Sequence, residues 1–333
     1  MTSGLKNQMS PDEKLAELRE FVAKYGAELT SSIFSKESKT KSSWQRHWGS
    51  WNRFIGEIGL HKQSGHQPKV RTGAARANVS IKDGVVFVGS DAHYWPDDIS
   101  TAHKAFVALA KKMKPDIVIL NGDELDGATI SRFQHIGWER KPSLDKEIEA
   151  VKDRLHEIFL AAPNAKRLWT LGNHDGRFES IIANKLPELA KVEGVHLKDH
   201  FPAWSPAWSV WINGHYKRPC MVKHRIKGGI HAPRNNVLAA GCHTVTGHLH
   251  AQRVHAHTNY MGTWYGVDAG TMLEPGFGES WGGQVVDYTE DNPLDWRAGF
   301  TILTFKDWEL MPPDLVHVIE TGVVWFRGQR IEV

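Results

Sequence analysis

Three short runs, residues 85–88 (Val-Val-Phe-Val), 117–120 (Ile-Val-Ile-Leu) and 168–171 (Leu-Trp-Thr-Leu), are dominated by apolar and β-branched side chains. Such continuous runs predict strands buried on both faces of a parallel sheet. Between them, residues 99–112 and 143–162 carry apolar positions at helical spacing, with Ser143 placed as a cap. This alternation is the rhythm of a layered α/β domain. From about residue 204 the pattern shortens into strands broken by Trp, Gly and Pro, which predicts a second sheet closing the domain. The N-terminal region reads differently. Ser10, Pro11 and Glu13 form a helix start with a capping box, and Leu15, Leu18, Phe21, Val22 and Tyr25 follow at helical spacing up to Gly26. After a polar stretch, Trp44, Trp48, Trp51, Phe54, Ile55 and Ile58 make a second amphipathic run closed by Gly59-Leu60. The expected organisation is a helical module over 1–62, a linker over 63–80 that lacks periodicity, and an α/β domain over 81–333.

Composition adds limits. Two cysteines, Cys220 and Cys242, exclude a disulfide framework. No apolar stretch of about 18 residues predicts a membrane span, and residues 1–10 lack the apolar core of a secretory signal. An intracellular, cytoplasmic protein is the simplest expectation. Charge is uneven: residues 1–80 hold 13 Lys and Arg against 7 Asp and Glu, although the whole chain is only +3. A basic segment on a slightly acidic body suits a polyanion partner, or else a solvated helical face.

The chemistry lies in four polar clusters at predicted strand ends: Asp91-Ala92-His93, Gly122-Asp123, Gly172-Asn173-His174-Asp175 and Gly247-His248-Leu249-His250. Function gathers outside the carboxyl ends of strands in open α/β sheets. In extended chain, Asp91 and His93 project to the same side and can chelate one ion; His248 and His250 are again a pair facing one way, here one to each ion. Asp123 has two oxygens with which to bridge two ions. Asn173 offers a neutral oxygen, and His174 places an imidazole beside the site. Carboxylate, imidazole and amide donors suit two borderline-hard divalent cations, with Mn²⁺ preferred and Fe²⁺, Zn²⁺ or Ni²⁺ as alternatives.

The order D-x-H, G-D, G-N-H-D, a lone His and G-H-x-H resembles the calcineurin-like metallophosphoesterase superfamily over roughly residues 83–275. The resemblance implies two packed mixed sheets flanked by helices, in a four-layer sandwich. It implies that Asp91, His93 and His250 hold one ion, that Asn173, His224 and His248 hold the other, and that Asp123 bridges them. His174 would stand near the leaving group as an acid, and water activated by the two ions would attack a phosphate ester. The family usually has glycine after the lone histidine, where this chain has Arg225. His231 competes with His224 for that place, with His215 and His243 behind it. Asp126 and Asp175 are candidates for hydrogen bonds that orient the ligands, and Arg132, His135 and Arg177 for contacts with substrate.

Residues 48–60 also resemble the short helical repeat associated with homing endonucleases, with Trp48 in place of its phenylalanine. That resemblance implies a DNA-binding module in which Lys36, Lys39, Lys41, Arg46 and Arg53 meet phosphates; the alternative is a helical cap with a tryptophan core. The combined expectation is a phosphodiesterase or nuclease acting on DNA, in the style of phage or mobile-element enzymes. A phosphomonoesterase and a DNA-binding protein with a degenerate site are the rivals, and oligomeric state stays open.

Overall fold

A computed structural model of the chain describes residues 9–25, 29–58, 75–131, 141–274 and 295–333. Two compact units divide it, Met1–Val70 and Arg71–Val333.

In the first unit the capping box forms as read. Ser10 N donates to Glu13 Oε2 at 2.6 Å and Glu13 N to Ser10 Oγ at 3.3 Å, starting α1 (Pro11–Tyr25). A helix that the pattern did not predict follows, α2 (Ser31–Glu37), with Thr30 Oγ1 accepting from Ile33 N. The expected second run is two helices, α3 (Gln45–Trp48) and α4 (Trp51–Gly56). Gly49 breaks it at φ +68°, and Ser50 Oγ accepts from Arg53 N to start the second piece. Phe34, Trp44 and Phe54 are buried at the centre, with Trp44 stacked on Phe54 at 5.5 Å. Trp48 and Trp51 pack against them half-buried. Across this core the Glu17 carboxylate accepts from the backbone N–H groups of Lys39 and Thr40, which ties the polar stretch to α1. Lys36, Lys39, Lys41, Arg46 and Arg53 are all exposed.

In the second unit, strand β1 (Ala77–Val79) lies inside the stretch read as linker. It is followed by β2 (Gly84–Gly89), α5 (Thr101–Met113), β3 (Ile117–Leu120), α6 (Leu144–Ala161) and β4 (Lys166–Thr170), as the apolar runs predict, and by α7 (Asp175–Lys185), which they do not. Then come α8 (Leu197–His200), β5 (Ser205–Ala207), β6 (Val210–Ile212), β7 (Cys220–Val222), α9 (Ala232–Ala240), β8 (His243–Thr246), β9 (Arg253–Asn259) and β10 (Gly262–Asp268). The chain ends in β11 (Gly299–Lys306), β12 (Glu309–Leu310), β13 (Asp314–Glu320), β14 (Val323–Phe326) and β15 (Gln329–Glu332).

Two mixed sheets result. One has the order β15-β14-β13-β11-β2-β3-β4-β5 with β12 beside β11, and the other β1-β6-β7-β8-β10-β9. The second sheet does close the domain, but not every strand after residue 204 joins it. β5 extends the first sheet in parallel with β4, and β11 adds antiparallel to β2. Alternation along the central strands explains the sandwich. Val86, Val88, Ile117, Ile119 and Leu168 face the core between the sheets, while Phe87, Val118, Leu120 and Trp169 face the core beneath the helices. Both cysteines are free and buried; burial pushes the Cys242 thiol up to about 11. Among the described residues no helix is long and apolar enough to cross a membrane.

Candidate metal centre

All four clusters, and His224 after β7, meet at the carboxyl ends of β2, β3, β4, β7 and β8. Backbone hydrogen bonds stitch the loops together. Asp91 N donates to Gly122 O at 2.9 Å, His93 N to Asp123 O at 3.0 Å, and Gly247 N to His224 O at 2.8 Å. Carboxylates do the same across loops: Asp91 Oδ2 accepts from His248 N at 2.9 Å, and Asp123 Oδ1 from His174 N at 2.7 Å.

The local backbone differs from the extended strand ends expected of the D-x-H and H-x-H pairs. Asp91, His93, Asp123, His248 and His250 all have φ between +41° and +71°. Left-handed backbone is uncommon outside glycine and costs energy, and its clustering here marks a site where geometry is imposed for a purpose. His248 and His250 consequently diverge. His250 Nε2 lies 3.0 Å from Asp91 Oδ1, whereas His248 groups with Asp123 and His224.

Two glycines let the loops close. A side chain on Gly172 would begin 1.9 Å from Asp123 Oδ1 and 2.5 Å from Asp123 N. One on Gly122, itself at φ +84°, would begin 2.6 Å from His224 Nδ1. The G-D and G-N-H-D patterns therefore record contact between loops as well as turns.

Three sets of donor atoms lie within 4.8 Å of one another: Asp91, His93 and His250; His93, Asp123 and His174; and Asp123, His224 and His248. Asp123 is shared by the second and third sets and His93 by the first and second, so the three sets form one connected group of donors. His93 Nε2 is buried with no hydrogen-bond partner among the described residues, a cost that a cation in this donor set would remove. The residues therefore fit a pair of divalent ions.

Partners outside the donor sets hold the rings. His93 Nδ1 is 3.1 Å from Asp126 Oδ1, and His174 Nδ1 is 2.9 Å from the same oxygen. His224 Nδ1 donates to Asn121 O at 2.7 Å, which turns Nε2 toward Asp123 Oδ2 at 3.1 Å. Asp175, fully buried, accepts from Asp123 N, Gly172 N and Trp169 Nε1 at 2.8–3.1 Å. It joins the second and third loops and is not a partner to the neighbouring His174 ring. Burial, then the nearby Asp123, pushes the Asp175 carboxyl up to about 6.

Electrostatics favour ligand states ready for a cation. Burial lowers His93, and burial followed by His224 lowers His248, so both rings are neutral near pH 7. Burial opposes ionisation of Asp123, but the His224 imidazole outweighs it and holds the carboxyl below its usual range. His224 is the exception: burial disfavours its charge, yet Asp91 and Asp123 overcome this and raise it to about 9. Without metal, this raised value adds stability that is full below the ordinary histidine range, near pH 6.5, and is lost as pH rises through about 9. A cation takes the neutral ring, so binding below pH 9 must displace this proton. Calorimetric titration of Mn²⁺ at pH 7, in two buffers of different ionisation heat, is expected to show release of about one proton from this group, with affinity rising about tenfold per pH unit. Binding without proton release would contradict this arrangement.

The remaining sequence candidates fall as follows. Asn173 is at the site, its Oδ1 accepting from Arg225 Nη1 at 3.4 Å. Arg177 is there too, with Nη1 donating to Asp126 O at 2.8 Å and Nη2 3.2 Å from His174 Nε2. His231 and His215 are exposed and outside the three donor sets, and His243 is buried on β8 with Nδ1 accepting from Tyr265 N. Arg132 and His135 lie outside the described residues. Trp296, not singled out in the sequence, sets its ring edge-on against His250 at 4.0 Å; no pattern near residue 296 signals this.

A two-sheet α/β sandwich with linked Asp and His clusters at its strand ends has the layout of a dinuclear metallohydrolase. The family model for calcineurin-like phosphoesterases matches residues 85–257, more than half of the chain. The chain belongs to that family, whose members are hydrolases acting on phosphoester bonds. Solved structures with similarity include a Vps29 single mutant from Entamoeba histolytica, 13% identical over 75% of this chain and 99% of that one, TM-score 0.38. Wild-type Vps29 of the same organism, complexed with zinc, is 14% identical over 74% and 98%, TM-score 0.37. The phosphoesterase YfcE from E. coli is 14% identical over 69% and 97%, TM-score 0.34. A comparison with curated proteins yields no match.

Proposed function

We propose that this metal-dependent phosphoesterase is a phosphodiesterase acting on DNA, and that the N-terminal unit brings it to that substrate. The observation that carries the catalytic part is the linkage of the donor sets, with Asp123 beside His93 in one set and beside His224 and His248 in another. Asp91, His93 and His250 would hold one ion, Asn173, His224 and His248 the other, with Asp123 between. Two such ions supply an activated water and a clamp on the phosphoryl oxygens.

The chain's own groups complete the reaction. Asp126 fixes the His174 ring through Nδ1, and although burial opposes a proton there, Asp126 outweighs it and raises His174 above its ordinary value. A protonated His174 can give its Nε2 proton to the departing oxygen, a contribution of about 10²–10⁴ in rate. Arg177 Nη2 faces that same nitrogen. Arg177 donates to that nitrogen here; once Nε2 carries a proton this bond is lost, and both groups can donate to a substrate oxygen.

DNA as substrate is supported by the exposed Lys and Arg side chains of the first unit. The G-S-W-N segment makes a left-handed turn and a Ser50 cap, and the five exposed cations Lys36, Lys39, Lys41, Arg46 and Arg53 are available for phosphate contacts. Deleting residues 1–70 is expected to weaken DNA binding by at least about tenfold at low salt and to flatten its salt dependence. Turnover of bis-p-nitrophenyl phosphate should stay within about twofold of the full chain. Filter binding across a salt series together with that assay reads both; unchanged DNA affinity returns the unit to a structural role. Hydrolysis of p-nitrophenyl phosphate but of no diester or DNA would replace the nuclease reading with a phosphomonoesterase.

A further inference from the structure

Arg225 follows His224 on the loop leaving β7, and its side chain is exposed at the rim of the site. Its recorded hydrogen bond is from Nη1 to Asn173 Oδ1 at 3.4 Å, the long limit for such a bond and easily given up. A guanidinium carries five N–H donors, and among the described residues this one spends one of them on the long bond to Asn173. Arg177 is a contrast, with its guanidinium already engaged by Asp126 O and facing His174. Arg225 thus adjoins His224, touches Asn173 and shares their side of the centre with His248, all three assigned above to the second ion. It offers a planar fork toward solvent.

We propose that Arg225 anchors the phosphoryl group of the substrate from the side of the second ion. This rests on the dinuclear phosphoesterase reading above. A phosphoryl oxygen that reaches this rim would meet a guanidinium able to take it with two parallel N–H donors. Arg225 exchanges its long bond to Asn173 for shorter, charge-assisted ones, so it acts in substrate affinity and leaves the ligand set intact.

The test compares wild type, Arg225→Ala and Arg225→Lys as full-length, manganese-loaded protein with metal content measured in each. Calorimetric titration with inorganic phosphate should show affinity falling about 10- to 100-fold in Arg225→Ala, the loss of a charge-assisted hydrogen bond. KM for bis-p-nitrophenyl phosphate should rise in parallel at unchanged metal content, and Arg225→Lys should recover only part of either. Unchanged phosphate affinity and KM in Arg225→Ala overturns the proposal. So does a loss of bound manganese, which would make Arg225 a support for Asn173. The two readings fail separately: a wild type that hydrolyses no ester sinks the phosphoesterase reading, while the phosphate titration still decides for or against Arg225.

Discussion

Asp123→Asn should lower kcat/KM for a phosphodiester by about 10³-fold or more, equivalent to roughly 4 kcal/mol of lost transition-state stabilisation. The reason is positional. Asp123 belongs to two of the three donor sets, beside His93 and His174 in one and His224 and His248 in the other, and it is nearly inaccessible to solvent. An amide keeps one oxygen, which can still accept from His174 N, so the loop geometry survives. What it loses is the negative charge and the second oxygen that faces His224 Nε2 at 3.1 Å. With one charge fewer, bound metal should drop below two ions per chain, while thermal unfolding stays cooperative. Wild-type turnover by a well-loaded Asp123→Asn protein would remove the residue from the bridging role.

The second large effect is expected from a residue without a functional group. Gly172→Ala places a methyl 1.9 Å from Asp123 Oδ1 and against the Asp123 backbone nitrogen. A flexible side chain could move aside, but that nitrogen is held by Asp175 at 2.9 Å and cannot yield without separating the second and third loops. Overpacking of this kind costs about 1–3 kcal/mol, and more where backbone must shift. The expected result is a lower denaturation midpoint together with loss of metal binding and turnover. A Gly176→Ala control, where nothing lies within 4 Å of the added carbon, should leave metal binding intact. Full metal occupancy in Gly172→Ala would show that the loops do not depend on this contact.

Much of the α/β unit was legible because a central strand buried on both faces can only be apolar throughout, as residues 85–88 and 117–120 are. The polar ends of those runs then stood out by chemistry, and Asp91, His93, Asp123, His174, His224, His248 and His250 do converge. Edge strands carry no such signal. β1, three residues long with Asn78 exposed, reads as linker because only its pairing with β6 makes it a strand. The return of β5 and β11 to the first sheet depends on long-range pairing, which local pattern cannot express. In the N-terminal unit, Gly49 and Ser50 split an amphipathic run whose periodicity continues across the break, so α3 and α4 looked like one helix. Within the centre, the left-handed backbone at five donor residues was hidden too, because Asp and His do not announce positive φ as glycine does. Arg225 was visible as an unexpected residue beside His224, but its place next to Asn173 needed the fold.

Hydrolysis of phosphoesters by this chain should depend on two ions held by these residues. This dependence is tested most directly by measuring metal content and bis-p-nitrophenyl phosphate turnover on the same purified sample, before and after chelation and again after adding Mn²⁺. Two ions per chain are expected in the active sample, with turnover that disappears with the ions and returns as the second equivalent binds. A protein that carries two ions and cleaves neither diester, monoester nor DNA, or one that remains active after the metal is removed, would contradict it.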